Sequence, residues 1–212
     1  MAAPDHRAPG DPGTLATLLS DDPAKVAAHL LDGWLISELG ERVALRITEV
    51  EAYGGVGQDP GSHAHRRRTP RNAAMFGPVG HAYVYFTYGM HWCLNVVAHQ
   101  PSVAGAVLIR AGEVHEGLAT ARSRRPTARR DVDLARGPAR LAAALGVSGA
   151  QDGADLLDPG AELRLLPART PAPVARVRSG PRTGITGAGA VTPWRFWLAG
   201  EPSVSPHRPA RP

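Results

Sequence analysis

The chain has 212 residues, with 24 lysines and arginines against 19 aspartates and glutamates, a net charge of +5; the length points to one domain, with two small ones as the alternative. Lys25 is its single lysine and Cys93 its single cysteine, so amine chemistry has only Lys25 or the terminal amine, and disulfide frameworks and cysteine-cluster zinc sites are excluded. No apolar run reaches the ~18 residues of a membrane span, and the N-terminal residues lack the charged and apolar regions of a secretory signal, so a soluble cytoplasmic protein is expected.

Residues 1–12 are rich in Pro, Gly and Ala and are expected to be disordered. The Ser20-Asp21-Asp22-Pro23 stretch reads as a helix start, with a polar cap and Pro in the first turn. Val26, Leu30 and Leu31 then fall near one face, and Gly33 marks an end. Residues 43–50 (VALRITEV) alternate apolar and polar and read as a strand, and 54–74 form a long polar loop. Residues 81–87 and 91–98 are β-favouring runs joined by Tyr88-Gly89-Met90, the pattern of a hairpin. Residues 104–111 read as a further strand, 119–130 as a basic, Pro-broken loop, and 137–146 as a short helix closed by Gly146. Short strands are expected at 161–166, 173–178 and 194–199, and a Pro-rich tail over 202–212. One helix followed mostly by strands, without regular βαβ alternation, predicts a single α+β domain over 13–201 around a largely antiparallel sheet.

The charge is uneven: −6 over residues 1–60, +8 over 61–140 and +3 over 141–212. Codon bias can explain why the cations are arginines but not why they cluster. A basic middle third suits a polyanion such as nucleic acid.

Glu49 and Glu51 lie two apart on the 43–50 strand as it runs into a loop, so they share a face and form a candidate acid/base pair. His63 and His65 form an H-x-H, but no second cluster stands at zinc-site spacing, so no metal site is expected. The four tyrosines are Tyr53, Tyr83, Tyr85 and Tyr88. Tyr83 and Tyr85 share a strand face, and Tyr88 falls at the hairpin tip. An aromatic there is poorly placed to be core and well placed to wedge between base steps.

These residues resemble a known family. ITEVEAY (47–53), DPGSHA (59–64), RRTPRNAAMFGPVGHAYVYFTYGMHWCLNVV (67–97), AVLIRAGEV (106–114), ARGPARLAAALGV (135–147) and PRTGITGAGAVTPWRFWLAG (181–200) are similar to segments of the 3-methyladenine (alkyladenine-type) DNA glycosylases, over about residues 13–200. The resemblance implies a curved antiparallel sheet with surrounding helices and a protruding β-hairpin. It implies excision of alkylated purines from double-stranded DNA by base flipping and hydrolysis of the N-glycosidic bond, as a monomer, with no cofactor and no membrane partner. By the same resemblance Glu51 is the catalytic carboxylate. Tyr53, His63 and Tyr85 sandwich the flipped base, Asn95 guards the pocket against normal guanine, and Tyr88 fills the gap in the duplex. Arg110 lies near the nucleotide's backbone. Arg68 and Arg71, with Thr69, Pro70 and Asn72, form a loop motif near phosphate. Glu49 is left as a supporting or solvent-facing residue. With Lys25 outside every motif, a monofunctional enzyme that leaves an abasic site is expected. A non-catalytic damage-sensing module and a small-molecule nucleosidase using Glu49 and Glu51 are the competing readings.

Overall fold

The computed structural model describes residues 12–101 and 103–210. The segment expected to be disordered lies outside the described residues, apart from Pro12. That proline opens helix α1 (Pro12–Leu19), which the Pro- and Gly-rich composition conceals. Helix α2 (Pro23–Val26) starts at the expected cap: the Asp22 carboxylate accepts the Ala24 N–H at 2.7 Å. A 3-10 turn, Ala27–Leu30, continues it.

Strands β1 (Trp34–Ser37) and β2 (Val43–Tyr53) follow, then a loop ending in a 3-10 segment at Pro70–Phe76. The hairpin is β3 (Ala82–Thr87) and β4 (His91–Val97), and β5 (Ala106–Glu116) pairs with β4. Helix α3 (Leu118–Arg124) occupies the first half of the stretch read as a basic loop. Its Ala121 is fully buried against the core, and Pro126 falls after the last turn, so the proline limits the helix without preventing it. Helix α4 (Pro138–Leu145) ends at Gly146, which takes φ 75°. Strands β6 (Leu163–Leu166), β7 (Val177–Gly180) and β8 (Arg195–Leu198) complete the sheet. The start of the strand expected at 173–178 is instead a 3-10 turn, Val174–Arg176.

The result is an α+β fold on one antiparallel sheet of eight strands, ordered β3-β4-β5-β2-β1-β6, with β8 beside β2 and β7 beside β8. Strand β2 organises it. One edge pairs with β5 along its length, and the other meets β1 at Val43–Arg46 and β8 at Glu49–Glu51. The β2–β5 register slips three times, passing over His115 on β5 near the start of β2, and then over Thr48 on β2 and Arg110 on β5. Such bulges re-aim side chains. Before Thr48 the odd residues Val43, Leu45 and Ile47 face the main core; after it the even residues Val50 and Ala52 do. Glu49 and Glu51 are thereby turned to the opposite face. The helices α1 to α4 pack on the core face through residues such as Leu19, Val26, Ala121 and Leu141. The other face carries a smaller cluster around Met75, Tyr83 and Val97, with Tyr53 and Tyr85 packed against it.

Candidate active site

On that second face, β2, β3 and β4 project side chains under the loops 54–69 and 181–192. An open pocket of about 360 Å³, counting the solvent space at its mouth, lies there, walled by Tyr53, His63, Tyr83, Tyr85 and Asn95, with Gly61, Met75 and Ile185 completing it. The pairings Tyr83↔Asn95 and Tyr85↔Cys93 place these residues on one face of the hairpin. Tyr83 and Tyr85 tilt at 32° with centroids 5.4 Å apart, and the His63 ring meets Tyr85 edge-on at 4.7 Å. His63 Nδ1 lies 2.8 Å from the Tyr83 hydroxyl, and Asn95 Nδ2 donates to the Tyr83 carbonyl at 2.9 Å. Partial burial and the nearby Arg71 charge lower the His63 pKa, which favours a neutral imidazole at pH 7. Burial, reinforced by neighbouring groups, holds the Tyr53 and Tyr85 phenols well above their ordinary pKa.

The segment carrying His63 is held by Asn72. Its Nδ2 donates to the His63 and Arg67 carbonyls at 2.8 and 3.0 Å, while its Oδ1 accepts the Thr69 N–H at 2.6 Å. Arg71 is exposed, reaching the Phe86 carbonyl at 3.3 Å and lying 6.0 Å from the Tyr85 ring centroid, and Arg68 is exposed on the same loop. At the hairpin tip Tyr88 is 84 % exposed and Met90 67 %. Both Tyr88 and Gly89 have positive φ, 52° and 66°, a conformation easy for glycine and uncommon for tyrosine.

Glu51 lies beneath the pocket wall, with no solvent exposure. One oxygen accepts the Thr183 N–H at 2.7 Å; the other accepts the Tyr53 hydroxyl at 2.8 Å and an Arg110 N–H at 3.1 Å. Two carboxylate oxygens offer about four acceptor positions, so three donors leave room for one more, such as a water. Tyr53 thus links pocket and carboxylate. Arg182 stacks against its ring at 4.7 Å, is 1 % exposed, and is clamped by Asp59 at 2.6 and 2.7 Å.

Arg110 and Glu49 both lie in the interior, which for Glu49 removes the solvent-facing alternative and leaves the supporting one. Arg110 is not a surface arginine: it is 5 % exposed, and its Nε donates to Glu49 at 3.0 Å. Burial opposes its charge, but the two carboxylates outweigh that penalty and its pKa rises. It still reaches one wall of a second recess of about 580 Å³, rimmed by Arg136, Arg140 and Arg208. Glu49 is not solvent-facing: fully buried, it accepts from Arg110, from Arg195 at 2.6 Å, and from the Ser205 N–H at 2.7 Å and hydroxyl at 2.9 Å. Ser205 belongs to the segment read as a tail. Arg182, Thr183 and Arg195 fall inside the PRTGITG and PWRFW motifs but carried no assigned role. Asp59 sits in DPGSHA and was equally unassigned. Among the described residues no group of three His, Cys, Asp or Glu side chains is gathered as for a metal ion, and no helix is long and apolar enough to cross a membrane.

The sequence profile of the family described as methylpurine-DNA glycosylase matches residues 17–202. A protein of Streptomyces avermitilis is 57 % identical over 171 residues, covering 80 % of this chain and 79 % of its own. Proteins of Leifsonia xyli subsp. xyli and Nocardia farcinica are 55 % and 51 % identical, covering 93 % and 88 % of this chain and 92 % and 88 % of their own. All three bear the name "Putative 3-methyladenine DNA glycosylase". An aromatic pocket over a buried glutamate held by three donors, together with these matches across most of its length, identifies the chain as a member of the methylpurine-DNA glycosylase family, a DNA N-glycosylase of DNA repair.

Proposed function

We propose that the enzyme extrudes an alkylated purine from duplex DNA into the 360 Å³ pocket, hydrolyses its N-glycosidic bond and stops at the abasic site, as the first step of base excision repair. The observation that carries this is the hydrogen bond from Tyr53 to Glu51, which couples the base-stacking wall to a carboxylate with one acceptor position left. In this reading Glu51 takes a proton from a water attacking C1′ of the sugar, and its negative charge stabilises the oxocarbenium character that develops there. A 3-methyl or 7-methyl purine is cationic, so it leaves without a dedicated acid. The faces of Tyr53, Tyr85 and His63 favour such an electron-poor ring. Asn95, fixed by the Tyr83 carbonyl, supplies bulk against the exocyclic amino group of guanine.

The arginine-rimmed recess beside Arg110, and a neighbouring one walled by Arg125, Arg129 and Arg140, support contact with the phosphate backbone. A nucleosidase acting on small molecules would need neither these recesses nor the exposed hairpin tip. The one lysine, Lys25, is 66 % exposed at the end of α2, ion-paired with Asp21, on a helix that packs on the core face of the sheet and not over the pocket. Among the described residues no lysine amine therefore stands at the pocket for strand-cleaving chemistry. Defined duplexes carrying 3-methyladenine, 7-methylguanine, hypoxanthine or ethenoadenine test the reading. Free base is expected from the methylated purines, with strand breaks only after alkali. Release from none of the four, or scission without alkali, would overturn it.

Tyr88 gives an independent test. Removing a ring that stacks in the duplex costs roughly 1–3 kcal/mol of binding or catalysis. Removing a side chain from a positive-φ position relieves strain of about 1 kcal/mol. Tyr88→Gly is therefore expected to slow single-turnover base release by about tenfold or more while its melting temperature stays level or rises. Unchanged release would remove Tyr88 from the DNA interface.

A further inference from the structure

The segment beyond the family-profile match, residues 203–208, folds back over the carboxylates as a strap. Its attachments converge on the site. The Ser203 hydroxyl lies 3.0 Å from that of Thr48, the bulged residue of β2. The Val204 carbonyl accepts from Arg136 at 2.9 Å, and the Ser205 carbonyl from Arg195 at 2.8 Å. The Arg208 carbonyl accepts the N–H of Gly184 at 3.0 Å, next to the Thr183 N–H that holds Glu51.

Ser205 is the centre of this strap. Its N–H and hydroxyl donate to the two oxygens of Glu49, and its oxygen stands 3.4 Å from Nη2 of Arg110. Glu49 in turn takes the Nε–H of Arg110, whose Nη1 donates to Glu51. A guanidinium is a rigid planar fork. Gripped at Nε by Glu49 and at Nη2 by Ser205, it has one orientation in which Nη1 meets Glu51. Without the Ser205 contact the Nη2 edge, beside the open recess that Arg110 already lines, loses its side-chain partner, and the fork is held by the two carboxylates alone.

We propose that Ser205, acting with Glu49, is a positioning residue for the reaction: the strap sets the orientation of Arg110 against Glu51 and so completes the base-release centre. The proposal rests on the reading of Glu51 as the general base. It extends the working site past residue 202 and assigns Glu49 the task of holding a cation rather than moving a proton.

Ser205→Ala removes the hydroxyl and leaves the backbone N–H on Glu49, so the strap stays attached. Loss of a hydrogen bond to a charged group predicts about a tenfold fall in single-turnover base release, with binding to a duplex carrying an uncleavable abasic analogue kept within about twofold. A structural defect alone would not separate rate from binding in this way. Because Ser205 acts through Arg110, the same substitution in an Arg110→Gln background is expected to change release by less than about twofold. Release at the wild-type rate in Ser205→Ala, a parallel loss of binding and rate, or the same tenfold effect in both backgrounds would each overturn the proposal. Should Arg110→Gln fail to fold, the rate-against-binding comparison on Ser205→Ala still decides. Glu51→Gln assayed alongside separates the two levels. Full release by Glu51→Gln removes the general base itself, whereas an inactive Glu51→Gln with a fully active Ser205→Ala removes only the strap's part.

Discussion

Glu51→Gln is expected to bind methylated duplex like the wild type and to release base at least about 10³-fold more slowly in single-turnover assays. The size follows from losing two contributions at once: proton abstraction from water and the anion beside a cationic sugar. The shape of the side chain is preserved, and the pocket walls that recognise the base do not change. The environment of the new amide is unfavourable. At one oxygen position it would meet the Thr183 N–H, and at the other an Arg110 N–H, both donors. An amide has one acceptor oxygen, so its NH₂ faces a donor in either orientation. A stability loss of roughly 1–3 kcal/mol therefore accompanies the catalytic loss. A thermal melt run with the release assay keeps the two apart, because a variant that is folded at the assay temperature and still releases base near the wild-type rate removes Glu51 from the mechanism.

Strand β2 shows which parts of the site could be read from the chain and which could not. Alternation over 43–50 reveals a strand, and the spacing of two places Glu49 and Glu51 together. The apolar phase then changes from odd (Val43, Leu45, Ile47) to even (Val50, Ala52), and this is the imprint of the bulge at Thr48. Without that signal the two glutamates would fall on the core face with Leu45 and Ile47. The hairpin tip is legible for a similar local reason: strand-forming runs bracket Tyr88-Gly89-Met90, and an aromatic in such a turn has nowhere inside to go. Strand β1, four residues long, is too short for a periodic signal, and α1 is hidden by the Pro and Gly at its start, although proline suits a first turn.

The burial of Glu49 is a different matter. It depends on Arg195 and Ser205, 146 and 156 residues away, and no local pattern announces a carboxylate with partners so distant. The same holds for Arg110. Its place between two carboxylates depends on a bulge in β5 paired against a bulge in β2. A Pro-rich composition suggested a tail after 202, but composition does not report the hydrogen bonds that Ser203 and Ser205 make.

The second large effect is expected on stability, at Asp59→Ala. Arg182 and Asp59 are each 1 % exposed and form a two-point ion pair at 2.6 and 2.7 Å. Removing the carboxylate leaves a buried guanidinium that stacks on Tyr53 and hydrogen-bonds only to the carbonyls of Ala52 and Gly189. Breaking one side of a buried pair costs about 3–5 kcal/mol, which for a chain of this size is a fall of roughly 10 °C in melting temperature. Asp59 also accepts the N–H groups of Gly54 and Gly61 at 3.0 and 2.9 Å, so the loop leading to His63 loses its anchor as well. Replacing both partners, as Asp59→Leu with Arg182→Met, removes the uncompensated charge and is expected to be less destabilising than Asp59→Ala alone. That comparison distinguishes a buried-charge penalty from simple loss of loop contacts, which the double replacement would not restore. A single variant that melts with the wild type, or a double variant that melts below the single, would rule out the ion pair as what holds Arg182 behind Tyr53.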